Sequence, residues 1–157
     1  MMKGIYALAF EVAADTVAEV GALGTVLFKK GFYVYIGSAQ NGIEQRVQRH
    51  MKKQKRLRWH IDYLLGNDAA KIVNVFYKEA GRIEECNLAK EIGKNAEPVP
   101  GFGCSDCRCT SHLFRVHDFG FVHDSMKRFS APEKWVKEAS HNGTNYRLKS
   151  GGQLSCE

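Results

Sequence analysis

The sequence predicts an α+β domain with a small, mainly antiparallel central sheet flanked by helices. Two stretches near the start, Gly4 to Val12 and Phe32 to Gly37, alternate their side chains at the period of a strand. Later, Arg82 to Gly93 carries Leu88, Ala89 and Ile92 at helical spacing. Hydrophobic residues at 44% and charged residues at 25% are ordinary globular values, so composition excludes a disordered chain.

Taken in order, the first strand runs from Ile5 to Val12 with Tyr6, Leu8, Phe10 and Val12 on one face. Ala13 to Lys30 reads as a loop or an extra strand at Thr25 to Phe28, broken by Gly21, Gly24 and Gly31. Phe32 to Gly37 presents Tyr33 and Tyr35 on one face and Val34 and Ile36 on the other, and a hairpin with the first strand is the economical pairing. Helices follow at Gly42 to Lys53 and Trp59 to Leu65, then a turn at Gly66-Asn67-Asp68 and a strand from Lys71 to Tyr77. After the helix at Arg82 to Gly93, Glu97 to Thr110 holds two of the three prolines and reads as loop, and Leu113 to Phe121 as extended chain. Ser130-Ala131-Pro132-Glu133 has the form of a capping box that starts a last helix toward Ala139. This assigns residues 1–140 to a single domain and 141–157 to a polar, flexible tail.

The 157 residues suffice for one domain with a real core. No apolar run approaches the ~18 residues of a membrane span, and the N-terminus lacks a signal-peptide pattern, so a cytoplasmic location is expected. Five cysteines, an odd number in such a chain, argue against a disulfide framework. A net charge of +6 favours an anionic partner. Its distribution is sharper: Arg46, Arg49, Lys52, Lys53, Lys55, Arg56 and Arg58 are seven cations in thirteen residues with no acid among them. Like charges at helical spacing repel by a few tenths of a kcal/mol per pair, a cost that phosphates would relieve, so this run is expected to contact nucleic acid. Trp59 and His60 sit beside it and could stack on an unpaired base, or the Trp could belong to the core.

Glu85 occupies the inward stripe of the Arg82 to Gly93 helix. A carboxylate there needs an arginine, a network of donors or a metal ion, because ionised and unpaired it would be costly to bury. Cys104, Cys107, Cys109 and His112 invite a zinc reading, although their spacing is tighter than that of two separated ligand pairs. Alternatively Cys107 and His112 shape a cleft wall, in a loop held by Ser105, Asp106 and Ser111.

Gly4-Ile5-Tyr6, Tyr35-Ile36-Gly37, Arg46 and the Glu85-Cys86-Asn87-Leu88 setting together resemble the GIY-YIG nuclease superfamily, over roughly Gly4 to His117. Arg58-Trp59-His60-Ile61-Asp62-Tyr63-Leu64, Ser105-Asp106-Cys107 and Ser111-His112-Leu113-Phe114 look like a subfamily in part fused to DNA-glycosylase-like domains, which points to DNA repair. The gap from Tyr6 to Tyr35 is long beside the compact hairpin of many members. What the resemblance implies is a metal-dependent endonuclease acting on double-stranded or branched DNA. Tyr6 and Tyr35 would be its tyrosines, Arg46 its phosphate-binding arginine and Glu85 the ligand of Mg2+ or Mn2+, with Glu84 one alignment step away. The general base would be Tyr6 or His50, which lies four residues after Arg46. Two other readings stand beside it: a non-catalytic nucleic-acid-binding module on the same fold, and a zinc-stabilised interaction protein.

Overall fold

The computed structural model describes residues 2–52, 55–105 and 107–130. The alternating segments pair as expected. β1 (Gly4–Val12) and β4 (Gly31–Ala39) run antiparallel over their full length, with Gly4 opposite Ala39 and Val12 opposite Gly31. β5 (Ala70–Lys78) pairs with the other edge of β1. β7 (Leu113–Val116) and β6 (Glu97–Pro98) extend the sheet beyond β4, and β8 (Lys127–Arg128) lies outside β5. The order is β6-β7-β4-β1-β5-β8, with every pairing antiparallel.

Because side chains alternate across a sheet, this hairpin buries apolar groups on both faces and must be covered twice. Tyr6, Leu8, Phe10, Val12, Tyr33 and Tyr35 share one core with α1 (Ile43–Met51), α2 (His60–Leu65) and Phe102. Ile5, Ala7, Ala9, Val34 and Ile36 share the other with α3 (Ile83–Gly93) and α4 (Gly120–Ser125). The result is an α+β domain with helices on both faces of a mostly antiparallel sheet. No helix among the described residues is long and apolar enough to cross a membrane.

The long separation of the two tripeptides is filled by structure. β2 (Thr16–Glu19) and β3 (Thr25–Phe28) form a separate two-stranded ribbon around a 3-10 turn at Gly21–Leu23, and its Val20 and Phe28 are buried in the first core.

Three expectations need correction. The first helix stops at Met51, short of Lys53: Lys52 is already extended, and the Lys55 ammonium reaches back 2.8 Å to the His50 carbonyl, supplying a partner at the helix C-terminus. The extended reading of Leu113 to Phe121 holds only to Val116. Asp118 Oδ1 accepts the Gly120 N–H at 2.8 Å, a local turn that starts α4, and Phe119, Val122 and Met126 then pack inward at helical spacing. Finally, Glu97 and Pro98 form a short strand where loop is expected. The helix from Ser130 toward Ala139, the tail 141–157, Lys53 and Asp106 lie wholly or in part outside the described residues.

Candidate active site

β7 accompanies β4 only from Phe32 to Tyr35, with one further bond from the Ile36 N–H to the His112 carbonyl. Past that point the Gly37 to Ala39 segment keeps β1 on one side alone. A cleft of about 920 Å³ opens there, where helices from opposite faces of the sheet reach round the same free edge. Tyr6, Tyr35, Gly37, Ser38, Arg46 and Trp59 line it from one side, and Glu85, Cys86, Gly103, Cys107 and His112 from the other.

The glycines of both tripeptides have steric reasons. A Cβ at Gly37 would collide with the ring and hydroxyl of Tyr6, and one at Gly4 would collide with the Lys78 carbonyl of the adjacent strand. Tyr6 thus lies across Gly37, only 1% exposed, with its ring centroid 6.5 Å from that of Tyr35. Its hydroxyl is 2.7 Å from His50 Nε2. Burial raises the Tyr6 phenol well above its ordinary range, although Arg46 partly offsets this by charge and a hydrogen bond. Tyr35 is raised for the same reason, with Tyr6 and Glu85 adding to it.

Arg46 projects back to the sheet edge as expected. It donates to the Ser38 carbonyl at 3.2 Å, with its guanidinium carbon 4.4 Å from the Trp59 ring centre. With its Nε2 unprotonated the imidazole accepts, so the Tyr6 hydroxyl can donate to His50. His50 does not line the cleft. It is fully buried behind Tyr6, and burial, with Lys55 nearby, pushes its imidazole down to about 3.

Behind His50 lies a residue that the sequence reading did not single out as functional. Asp62 is fully buried and takes two bonds of 2.9 Å from Arg49 together with the backbone N–H groups of Arg58 and Trp59. Burial opposes its charge, but the Arg49 hydrogen bonds and the two N–H donors prevail and hold the carboxyl below its usual range. An acid three residues after Trp59, at the start of a short helix, was the available signal.

This network engages part of the cationic run within the protein itself. Arg49 is committed to Asp62 and to the Arg56 carbonyl, and half-buried Lys55 to His50. Lys52, Arg56 and Arg58 are exposed. Trp59 packs against the guanidinium groups of both Arg46 and Arg49, which makes it a support for the arginines and not an open stacking platform. His60 is likewise engaged: its Nδ1 accepts the Gly103 N–H at 2.9 Å, and its ring packs edge-on to Phe102.

On the opposite wall, α3 presents Leu88, Ala89 and Ile92 to the core and Glu85 to the cleft, while Glu84 lines a separate shallow depression. Glu85 Oε1 is 2.8 Å from His112 Nδ1, with the Glu85 side chain 16% exposed, so its partner is an imidazole and not an arginine. The contact is close but off the line of a straight N–H···O bond. His112 is held by its backbone, which donates to the Phe102 carbonyl at 2.8 Å and accepts from Ile36. Ser111 Oγ donates to the Leu113 carbonyl and accepts the Leu113 N–H. Phe102, fully buried, packs edge-on against Phe28 and Tyr35 and anchors this loop to the core.

Cys86, Cys107, Cys109 and His112 converge there, their ligand atoms all within 4.8 Å of one another, a grouping able to hold a metal ion. Cys104, expected among them, instead directs its thiol to the Thr110 carbonyl at 3.8 Å. Cys86 takes its place, a residue 21 positions or more away from the others in sequence and therefore invisible to a spacing argument. Burial, reinforced by the neighbouring thiols, pushes Cys109 up to about 12.

The chain belongs to the family described as domain of unknown function DUF123, whose match spans residues 5–132. Comparison with curated proteins and with solved structures gives no match.

Proposed function

We propose that this member of the DUF123 family is a metal-dependent DNA endonuclease of GIY-YIG type. The observation that carries the reading is convergence: Tyr6, Tyr35, Arg46 and Glu85, drawn from four elements on both sides of the sheet, line one open cleft, and His50 bonds the first of them from behind.

Phosphodiester hydrolysis needs an activated water, neutralisation of charge on the phosphoryl oxygens and stabilisation of the departing 3' oxygen. Arg46 offers a permanently charged fork for the non-bridging oxygens, pre-oriented by Ser38 and Trp59. Tyr6 cannot act as a free phenolate, since burial holds its proton more tightly than in water. Nor can His50 touch a water in the cleft directly. His50 therefore orients the phenol, and Tyr6 aligns the attacking water through its oxygen without either buried group having to carry a charge. Glu85 fits a hard divalent cation, being one carboxylate at an open cleft where Mg2+ or Mn2+ can keep several waters. Such an ion supplies charge stabilisation at the phosphate and the leaving oxygen. Exposed Lys52, Arg56 and Arg58, on the segment that runs from the end of α1 to cleft-lining Trp59, would hold the DNA backbone.

The test is incubation of the purified protein with plasmid, flapped and junction DNA in Mg2+ and Mn2+. Cleavage that disappears in both Glu85→Ala and Arg46→Ala while binding survives supports the reading. Binding without cleavage on all three substrates would favour a non-catalytic DNA-binding module.

A further inference from the structure

We propose that Cys86, Cys107, Cys109 and His112 hold a structural zinc ion that ties α3 to the loop before β7 and, through His112, sets the position of Glu85. The donor set is three sulfurs and one imidazole nitrogen, soft ligands that suit Zn2+ and not the hard cation proposed for Glu85. Four protein ligands leave no open position, which marks a structural site and not a catalytic one.

The geometry is close to what zinc needs. A tetrahedral ion with Zn–S near 2.3 Å and Zn–N near 2.0 Å places its sulfur and nitrogen donors roughly 3.6 Å apart. His112 Nε2 lies 3.5 Å from Cys107 Sγ and 3.9 Å from Cys86 Sγ. Nε2 faces the sulfurs while Nδ1 lies 2.8 Å from Glu85 Oε1, a close contact that sets a carboxylate beside the ligating imidazole. His112 is buried and its backbone is fixed at both N–H and C=O, so its ring is presented and not adrift.

There is also something for the ion to do. The 99–112 loop lies between two short strands, and its contact with α3 is made by these polar and sulfur groups. A metal cross-link between Cys86 and the loop would fix the wall on which Glu85 stands. The inference concerns metal content and so holds or fails independently of whether the cleft cuts DNA.

The experiment is elemental analysis and X-ray absorption on the full chain, purified without chelator. About one zinc per chain with three sulfur and one nitrogen neighbours is expected. Cobalt exchanged into the wild-type protein should show the absorption of a tetrahedral thiolate site. Cys86→Ser and Cys107→Ser should lose zinc, Cys104→Ser should keep it, and Glu85→Gln should keep it with affinity lowered about 10- to 100-fold. Should the serine variants fail to fold, the absorption data on wild-type protein decide alone. Wild-type protein free of zinc and unable to take up cobalt, or with its thiols joined as disulfides, overturns the proposal. So does zinc that survives Cys86→Ser but leaves with Cys104→Ser.

Discussion

The two walls of the cleft are built on different principles. The wall of Tyr6, Arg46 and His50 is backed by a buried polar network: Asp62 neutralises Arg49, backbone donors bond Asp62, and long paired strands hold Tyr6 in place. The wall of Glu85, His112 and the cysteines stands on one helix and a loop anchored by a single large apolar side chain, Phe102. The first is rigid because its charges have nowhere else to go; the second depends on cross-links made by side chains. Under the proposed function, a site that holds a divalent cation and releases a cleaved strand would use one fixed wall and one that is fastened separately.

Removing the anchor of the weaker wall should have the largest effect. Phe102→Ala deletes a fully buried ring and is expected to cost roughly 3–5 kcal/mol in urea denaturation. A loss under about 1 kcal/mol would show that the loop is held by something else. Asp62→Ala attacks the other wall and should cost about 3 kcal/mol, since Arg49 and two backbone N–H groups lose their acceptor. A near-neutral result would mean that solvent replaces the carboxylate and the wall is not rigid in the sense argued.

The third test separates function from stability. Arg46→Ala should lower single-turnover cleavage about 100-fold. Its stability cost should stay below about 1 kcal/mol, the worth of its stacking on Trp59. Equal losses in both would reassign Arg46 to the scaffold.

The effect that shows only on acidification is in pH. Burial holds the His50 imidazole at about 3, below the 6.5 of an unfolded chain, so the unfolded state takes up a proton first on acidification. Stability is complete above about pH 6.5 and declines as the pH falls toward 3; that of Asp62, whose carboxyl is held below 3.8, is lost only at still lower pH. Thermal melts of wild type and His50→Gln between pH 7 and 4 should therefore diverge, the variant being the flatter. Parallel slopes would remove His50 from the buried network.

Much of the frame was legible in the residues. The period-two alternation in Tyr6, Leu8, Phe10 and Val12 assigned each side chain to its face, since one register slip would have moved them all to the opposite core. Leu88, Ala89 and Ile92 likewise placed Glu85 toward the body of the protein. What the run of cations did not disclose is that Lys55 caps α1 and Arg49 turns to Asp62, pairings that helical spacing does not foresee.

The sequence by itself determined the three long strands, their faces and the helix that carries Glu85. All of these follow from local geometry and from the need to bury apolar groups with a fixed period. Only the tertiary structure decided who meets whom at the sheet edge: that His50 stands behind Tyr6, that His112 takes Glu85, and that Cys86 joins Cys107 and Cys109 in place of Cys104. Such meetings depend on where β7 stops pairing with β4 and on how two layers of helices close over the gap. That is a property of packing across the whole chain, and no local pattern encodes it.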